Sequence, residues 1–309
     1  VIEPVVAAVL VSDIHNSDRP PAARAEETDW MRTQQGCWQQ VSKLCFAHNV
    51  PLIIAGDIFD DGWRTHRCSP ELINMVLRNI PRAYGIPGQH DLKNHRLEDL
   101  KKTAFWTLVE SGKLTYLEPE KPVEVAGRTP MRLWGFPWGV PVTPLNDPHD
   151  MMLEVAVIHA MIYTKATSYP GAPEDGYFKN WKERLRGYDV ALFGDNHSPF
   201  EKRLGDCLIW NNGGFMRRRL DEIDHKPRVG LLYSDGTVKP HYLNVSKDKI
   251  TKTDDDAPEA DVPEGLHEFV KELRELTDRA LDFEAALLRW MEKEGTSPQV
   301  RELVLKALG

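Results

Sequence analysis

An α/β fold of two β-sheets packed as a sandwich, with helices on the outside and a helical C-terminal appendage, is what this 309-residue sequence predicts. Three observations predict it. Up to Ser111, strand-length apolar runs alternate with segments of helical periodicity, the rhythm of a parallel sheet with crossover helices. From Leu114 onward short apolar strands succeed one another, so a second, mixed or antiparallel sheet is expected to face the first. Five of the strands also end on Asp, His or Gln, and open α/β sheets build their sites beyond strand ends.

Taken in order, Val5–Val11 reads as the first strand. It is apolar, lacks a basic leader and runs directly into Ser12-Asp13, so a strand is expected there and not a signal peptide. Asp29–His48 reads as a helix, with Trp38, Val41, Leu44 and Cys45 at helical spacing. Pro51–Ala55 is the second buried strand. Ser69 caps a helix that runs to Asn79, with Pro70 at its first position. Arg82–Ile86 forms the third strand, and Leu97–Ser111 is expected to be one further helix. Short strands then follow at Leu114–Leu117, Val123–Val125, Met131–Phe136 and Val155–His159, with a Pro-rich loop over 137–148. A helix over Tyr177–Arg186 should precede the strand Val190–Phe193. Hairpin-like strands close the domain at Phe200–Arg203, Cys207–Asn211, Arg228–Tyr233 and Val238–Leu243. Residues 1–250 therefore make one domain. Residues 251–263 form an acidic, Pro-containing linker, and 264–309 a helical segment.

Composition sets the limits. With 41% hydrophobic and 28% charged residues the chain can bury a large core, and its longest apolar stretches are strand-length, too short to span a membrane. Four cysteines without a CxxC pair point to reduced thiols and a cytoplasmic protein. The net charge of −8 is unevenly placed: residues 251–309 hold 8 Lys/Arg against 15 Asp/Glu, while residues 1–250 are close to neutral. Charge therefore does not exclude a nucleic-acid substrate.

The chemistry sits at the strand ends. Asp13 and His15 are one residue apart, so both side chains are expected to point the same way. Asp57 follows Gly56; Gln89 and His90 close the third strand; His159 ends another; Asp195 and His197 end the last. Any one of these alone reads as an Asx turn, a cap or a structural histidine. Together, at successive strand ends, they read as a metal site.

The ordered motifs Asp13-Ile14-His15, Gly56-Asp57-Ile58-Phe59-Asp60, Gly88-Gln89-His90-Asp91, His159 and Gly194-Asp195-Asn196-His197 resemble those of the calcineurin-like metallophosphoesterase superfamily. Its pattern is D-x-H, G-D-x-x-D, G-N-H-D/E, a lone H and G-H-x-H, and the likeness covers about residues 5–245. The resemblance implies two divalent cations, Mn²⁺ first and Mg²⁺ as the other choice. Asp13, His15, Asp57 and His197 would hold one ion. Asp57 would bridge to a second, completed by Gln89, His159 and Asp195. It also implies that His90 is no ligand but protonates the leaving oxygen, with Asp91 orienting its ring, and that Asp60 braces the loop. This sequence departs twice from the pattern, with Gln89 for Asn and Asp195 for the first His. The exchange enriches the site in oxygen and favours Mn²⁺ or Mg²⁺ over Zn²⁺.

Within the superfamily, Gly56–Asp60 and the run Asn211-Asn212-Gly213-Gly214-Phe215-Met216-Arg217-Arg218-Arg219 resemble the SbcD-type nucleases of double-strand-break repair. That resemblance implies a DNA exonuclease or endonuclease, an SMC-like ATPase partner of the SbcC type docking on the C-terminal helices, and a homodimer. Arg64, His66, Arg67, Arg217 and Arg218 are then candidates for phosphate contacts, solvated surface turns being the other reading. The alternatives in function are a small-molecule phosphodiesterase or phosphomonoesterase, such as one for cyclic nucleotides, and a metal-binding scaffold without turnover.

Overall fold

The computed structural model describes residues 3–62, 68–165, 174–219 and 222–250. Arg64, His66 and Arg67, the acidic linker and the expected C-terminal helices lie outside the described residues.

Apolar strands with both faces covered form the two sheets. In the first, β1 (Val6–Val11), β2 (Leu52–Ala55), β3 (Ala83–Ile86) and β4 (Leu114–Tyr116) run parallel. The second holds β5 (Val123–Val125), β6 (Met131–Phe136), β7 (Leu153–His159), β8 (Val190–Gly194), β9 (Phe200–Leu204) and β10 (Cys207–Asn211), in the order β5-β6-β7-β8-β10-β9. Its four inner strands are parallel, and the two edges are antiparallel. The last hairpin, β11 (Arg228–Tyr233) and β12 (Val238–Tyr242), returns to the first sheet, where β11 lies antiparallel to β1 with Val9 opposite Leu231.

Side chains alternate across each strand as the pleat requires. Ala8 and Leu10 of β1 join Ile53, Tyr84, Val157 and Leu192 between the sheets. Val9 and Val11 face outward, under α1 (Trp30–His48), α2 (Pro70–Asn79) and α3 (Ala104–Glu110), where they meet Trp38, Leu72, Val76 and Phe105. Local signals set the helix ends. The Asp29 carboxylate accepts from Arg32 N at 2.9 Å, and Ser69 Oγ accepts from Leu72 N at 3.2 Å beside Pro70.

Three expectations need correction. The first sheet does not end at the change of pattern near Leu114: β4, β11 and β12 all belong to it, because strand partners are chosen by long-range pairing that periodicity does not encode. The expected helix Leu97–Ser111 is broken at Thr103, which is extended between a 3-10 stretch (Leu97–Lys102) and α3. There Thr103 Oγ1 donates to Leu100 O at 2.8 Å, and Ala104 N to Gly62 O at 2.7 Å, so local partners compete with the helix. Within the expected helix Tyr177–Arg186 only a short 3-10 turn forms, Phe178–Trp181, preceded by another at Glu174–Gly176. Tyr163 takes up the backbone groups that would have continued it, bonding Gly176 O and Phe178 N, each at 2.9 Å.

Candidate metal centre

The carboxyl ends of β1, β2 and β3 form one wall of the site. Past Val11 the chain leaves the strand, and Asp13 N donates to Gly56 O at 3.2 Å. Ile14 N and His15 N both donate to Asp57 O, at 2.9 and 2.8 Å. Asp13, His15 and Asp57 have φ of 53°, 50° and 52°, in the left-handed region. Asp13 and His15 do lie on one side, but these kinks turn them there, not strand alternation. Asp and His tolerate such backbone better than branched residues, and strain of this kind collects at functional sites. Glycine makes the loops fit. A Cβ on Gly88 would lie 2.1 Å from Asp57 Oδ1, and one on Gly56 (φ +83°) 2.2 Å from His159 Nδ1.

The opposite wall comes from β7, β8 and the segment after β10. His159 ends β7 and donates from Nδ1 to Ala55 O at 2.6 Å, which aims Nε2 at Asp57 Oδ2, 3.4 Å away. Asp195 N donates to Asp13 Oδ1 at 2.8 Å, so the two walls meet there. His197 brings Nε2 to 3.2 Å from His15 Nε2. The Gln89 amide donates to Asp195 Oδ1 at 2.6 Å.

These donors suit cations. Three groups, Asp13–His15–His197, Asp13–Asp57–His159 and His15–Asp57–His90, each bring their ligand atoms within 4.8 Å of one another. Asp57 Oδ2 lies 3.6 Å from His15 Nε2 and 3.4 Å from His159 Nε2, so one carboxylate oxygen faces both imidazoles. The buried Gln89 Oε1 has no hydrogen-bond partner among the described residues, a cost that a cation would remove. Burial pushes the His15 pKa down to about 4, leaving a neutral ring with a free lone pair. Burial raises the Asp13 pKa. At Asp57 burial also acts upward, but His159, His90 and His15 outweigh it and hold the carboxyl well below the usual range. Asp195 belongs to none of the three groups.

His90 is exposed at the mouth, its ring 4.9 Å from that of His15. The ring partner expected for it is different. Asp91 is fully buried and accepts from Ile58 N, Phe59 N and Gly88 N at 3.1, 2.9 and 3.1 Å, so its carboxylate clamps two loops. His90 Nδ1 donates instead to Asp60 O at 2.8 Å. Burial works to lower the His90 pKa, yet the Asp57 and Asp60 carboxylates prevail and raise it.

Of the side chains expected to meet DNA, the two described arginines, Arg217 and Arg218, turn inward. Arg217 bonds Asp248 and Val245 O, each at 3.1 Å, and Arg218 bonds Asp60 Oδ2 at 2.8 Å as well as His15 O. Sequence reasoning passed over Glu222. It accepts from Arg218 N and Arg219 N at 2.6 and 3.1 Å, and lies 3.4 Å from His197 Nδ1. Only its place a few residues after the Arg-rich run hinted at it. Asn212 stood in a motif without a role of its own; the Ser12 hydroxyl donates to Asp13 Oδ2 at 2.5 Å, and Asn212 Oδ1 lies 3.2 Å from the same hydroxyl oxygen.

A family model described as calcineurin-like phosphoesterase matches residues 8–201. No curated protein sequence matches the chain. Among solved structures, TT1561 of Thermus thermophilus is similar at 12% identity and a TM-score of 0.45, over 77% of this chain and 99% of that one. A novel archaeal phosphodiesterase is 13% identical, with a TM-score of 0.39 over 76% and 99% of the two chains. The sulfate thiohydrolase SoxB of Thermus thermophilus, in complex with glycerol, is 12% identical, with a TM-score of 0.46 over 90% and 62%.

Proposed function

Because the chain belongs to the calcineurin-like phosphoesterase family, we propose that it is a two-cation phosphodiesterase whose substrate is DNA. Membership carries the coarser part, a metal-dependent phosphoester hydrolase. The observation that supports two cations is the position of Asp57 Oδ2, between the Nε2 atoms of His15 and His159. Asp13, His15, Asp57 and His197 would hold one ion. Asp57, His159 and the Gln89 carbonyl would hold the other, with Asp195 beside them. Divalent cations held there would supply Lewis-acid stabilisation to a phosphodiester undergoing displacement. The residues of the chain do the rest. Left-handed backbone and buried amides hold the ligands in place without reorganisation. His90, anchored through Nδ1 to Asp60 O at the mouth of the site, can in the protonated form hand a proton to the leaving oxygen.

DNA as the substrate rests on the likeness of Gly56–Asp60 and Asn211–Arg219 to SbcD-type nucleases. One observation favours the second reading, a small phosphodiester. Arg217 and Arg218, counted on for phosphates of a polymer, are engaged inside the protein. Labelled single- and double-stranded DNA, run beside a chromogenic bis-phosphoester in Mn²⁺, decides between them. Cleavage of DNA that chelator stops is the expected result. Turnover of the small diester alone would replace DNA with a small substrate, and two bound Mn²⁺ with no turnover would leave a scaffold. The same resemblance proposes an SMC-like ATPase as partner of residues 264–309. Co-purification that survives deletion of those residues would refute that docking site.

A further inference from the structure

The two positions at which this chain departs from the pattern of its family touch each other. Gln89 and Asp195, on loops after β3 and β8, are joined by a hydrogen bond from Gln89 Nε2 to Asp195 Oδ1 at 2.6 Å. An ionised carboxylate only accepts, so the end of the amide facing it must be the nitrogen. The other end, Gln89 Oε1, is buried and has no hydrogen-bond partner among the described residues. Asp195 is itself held, with φ of 83° and its N–H on Asp13 Oδ1 at 2.8 Å. Its carboxylate belongs to none of the clusters in which three acidic or imidazole ligand atoms come within 4.8 Å of one another.

We propose that Asp195 is a positioning residue for the cation site: it fixes the Gln89 amide so that oxygen, not nitrogen, is left to the cation, and the two side chains act as one unit. An unrestrained amide can offer its NH₂ end, which cannot ligate. An Asn at position 89 is one methylene too short to reach Asp195 and serve the cation from the same place. The paired departures are thus a single exchange, in which the longer amide needs the carboxylate opposite. This inference rests on the cation-binding reading above, but not on the substrate.

Calorimetric titration of metal-stripped protein with MnCl₂ tests it, using wild type, Gln89→Ala, Asp195→Ala, the double variant and Asp195→Asn. Each alanine variant should weaken Mn²⁺ about 10–100-fold, the range for lost ligand support. The double should be no weaker than the worse single, because Asp195→Ala already disables Gln89. Asp195→Asn, whose amide oxygen can still accept from Gln89, should recover most of the affinity. Losses that multiply in the double, as independent ligands would give, overturn the proposal. So does an Asp195→Asn variant as weak as Asp195→Ala. If circular dichroism shows the alanine variants unfolded, Gln89→Asn and Asp195→Ser close the same cycle under the same criterion. Wild type that binds Mn²⁺ but cleaves no phosphodiester would refute the function above and leave this criterion standing; wild type that binds no Mn²⁺ refutes both.

Discussion

The two walls of the site are built by different means. On the first-sheet side, Asp13, His15 and Asp57 are almost wholly buried, in left-handed backbone, and their loops are tied by main-chain bonds to Gly56 O and Asp57 O. Asp91 closes that wall with three further N–H bonds. On the second-sheet side His159 is equally buried, but Asp195 and His197 are half-exposed. Side chains from distant positions hold them: Gln89 for Asp195 and Glu222 for His197. The first wall is rigid through its backbone, and the second is held by side-chain relays. Damage to the first should therefore cost stability and metal together, and damage to the second should cost metal alone.

Four variants test that contrast. His90→Ala, at the rim of the first wall, should lower turnover about 10²–10⁴-fold while two Mn²⁺ still bind, as steady-state rates beside calorimetry would read. A lost ion would instead make His90 a ligand, a role its place in the cluster with His15 and Asp57 permits. Gly88→Ala forces a Cβ to 2.1 Å from Asp57 Oδ1, and overpacking of this kind costs about 1–3 kcal/mol. Thermal unfolding should show a lower Tm, with weaker Mn²⁺ binding beside it. An unchanged Tm would mean that the first wall is slack.

Glu222→Gln keeps an oxygen for Arg218 N and Arg219 N but removes the charge behind His197, and should weaken Mn²⁺ about 10–100-fold with a nearly unchanged Tm. Equal losses of stability and affinity would erase the distinction between the walls. Arg217→Ala should have the smallest effect on the site, leaving Mn²⁺ binding and turnover nearly unchanged, its cost confined to a lower Tm from the lost pair with Asp248. The salt dependence of DNA binding should stay the same. A log–log slope shallower by about 1 would show that Arg217 meets a phosphate after all.

Residues contributed within one motif could be read from the chain, whereas their supports could not. Asp13, His15, Asp57 and Gln89-His90 follow directly on apolar strands, so the pattern announces both the strand and its polar end. Asp91 was visible as a residue but not as a clamp, because its three donors lie on the loops after β2 and β3 and are main-chain groups. Arg217 and Arg218 look like a basic surface run until Asp248 and Asp60 are brought against them. Thr103 breaks the helix expected over Leu97–Ser111, since its hydroxyl and the next amide find nearer partners.

By itself the sequence determined the strands, the helices α1 and α2, and which side chains stand at strand ends, because those depend on short-range periodicity and on the few residue types that turns accept. Only the tertiary structure decided that β4, β11 and β12 share a sheet with β1, that Gln89 meets Asp195 across 106 residues, and that two arginines face inward. Those outcomes depend on which surfaces are buried against each other. That is a property of the whole packed chain, and no local stretch contains it.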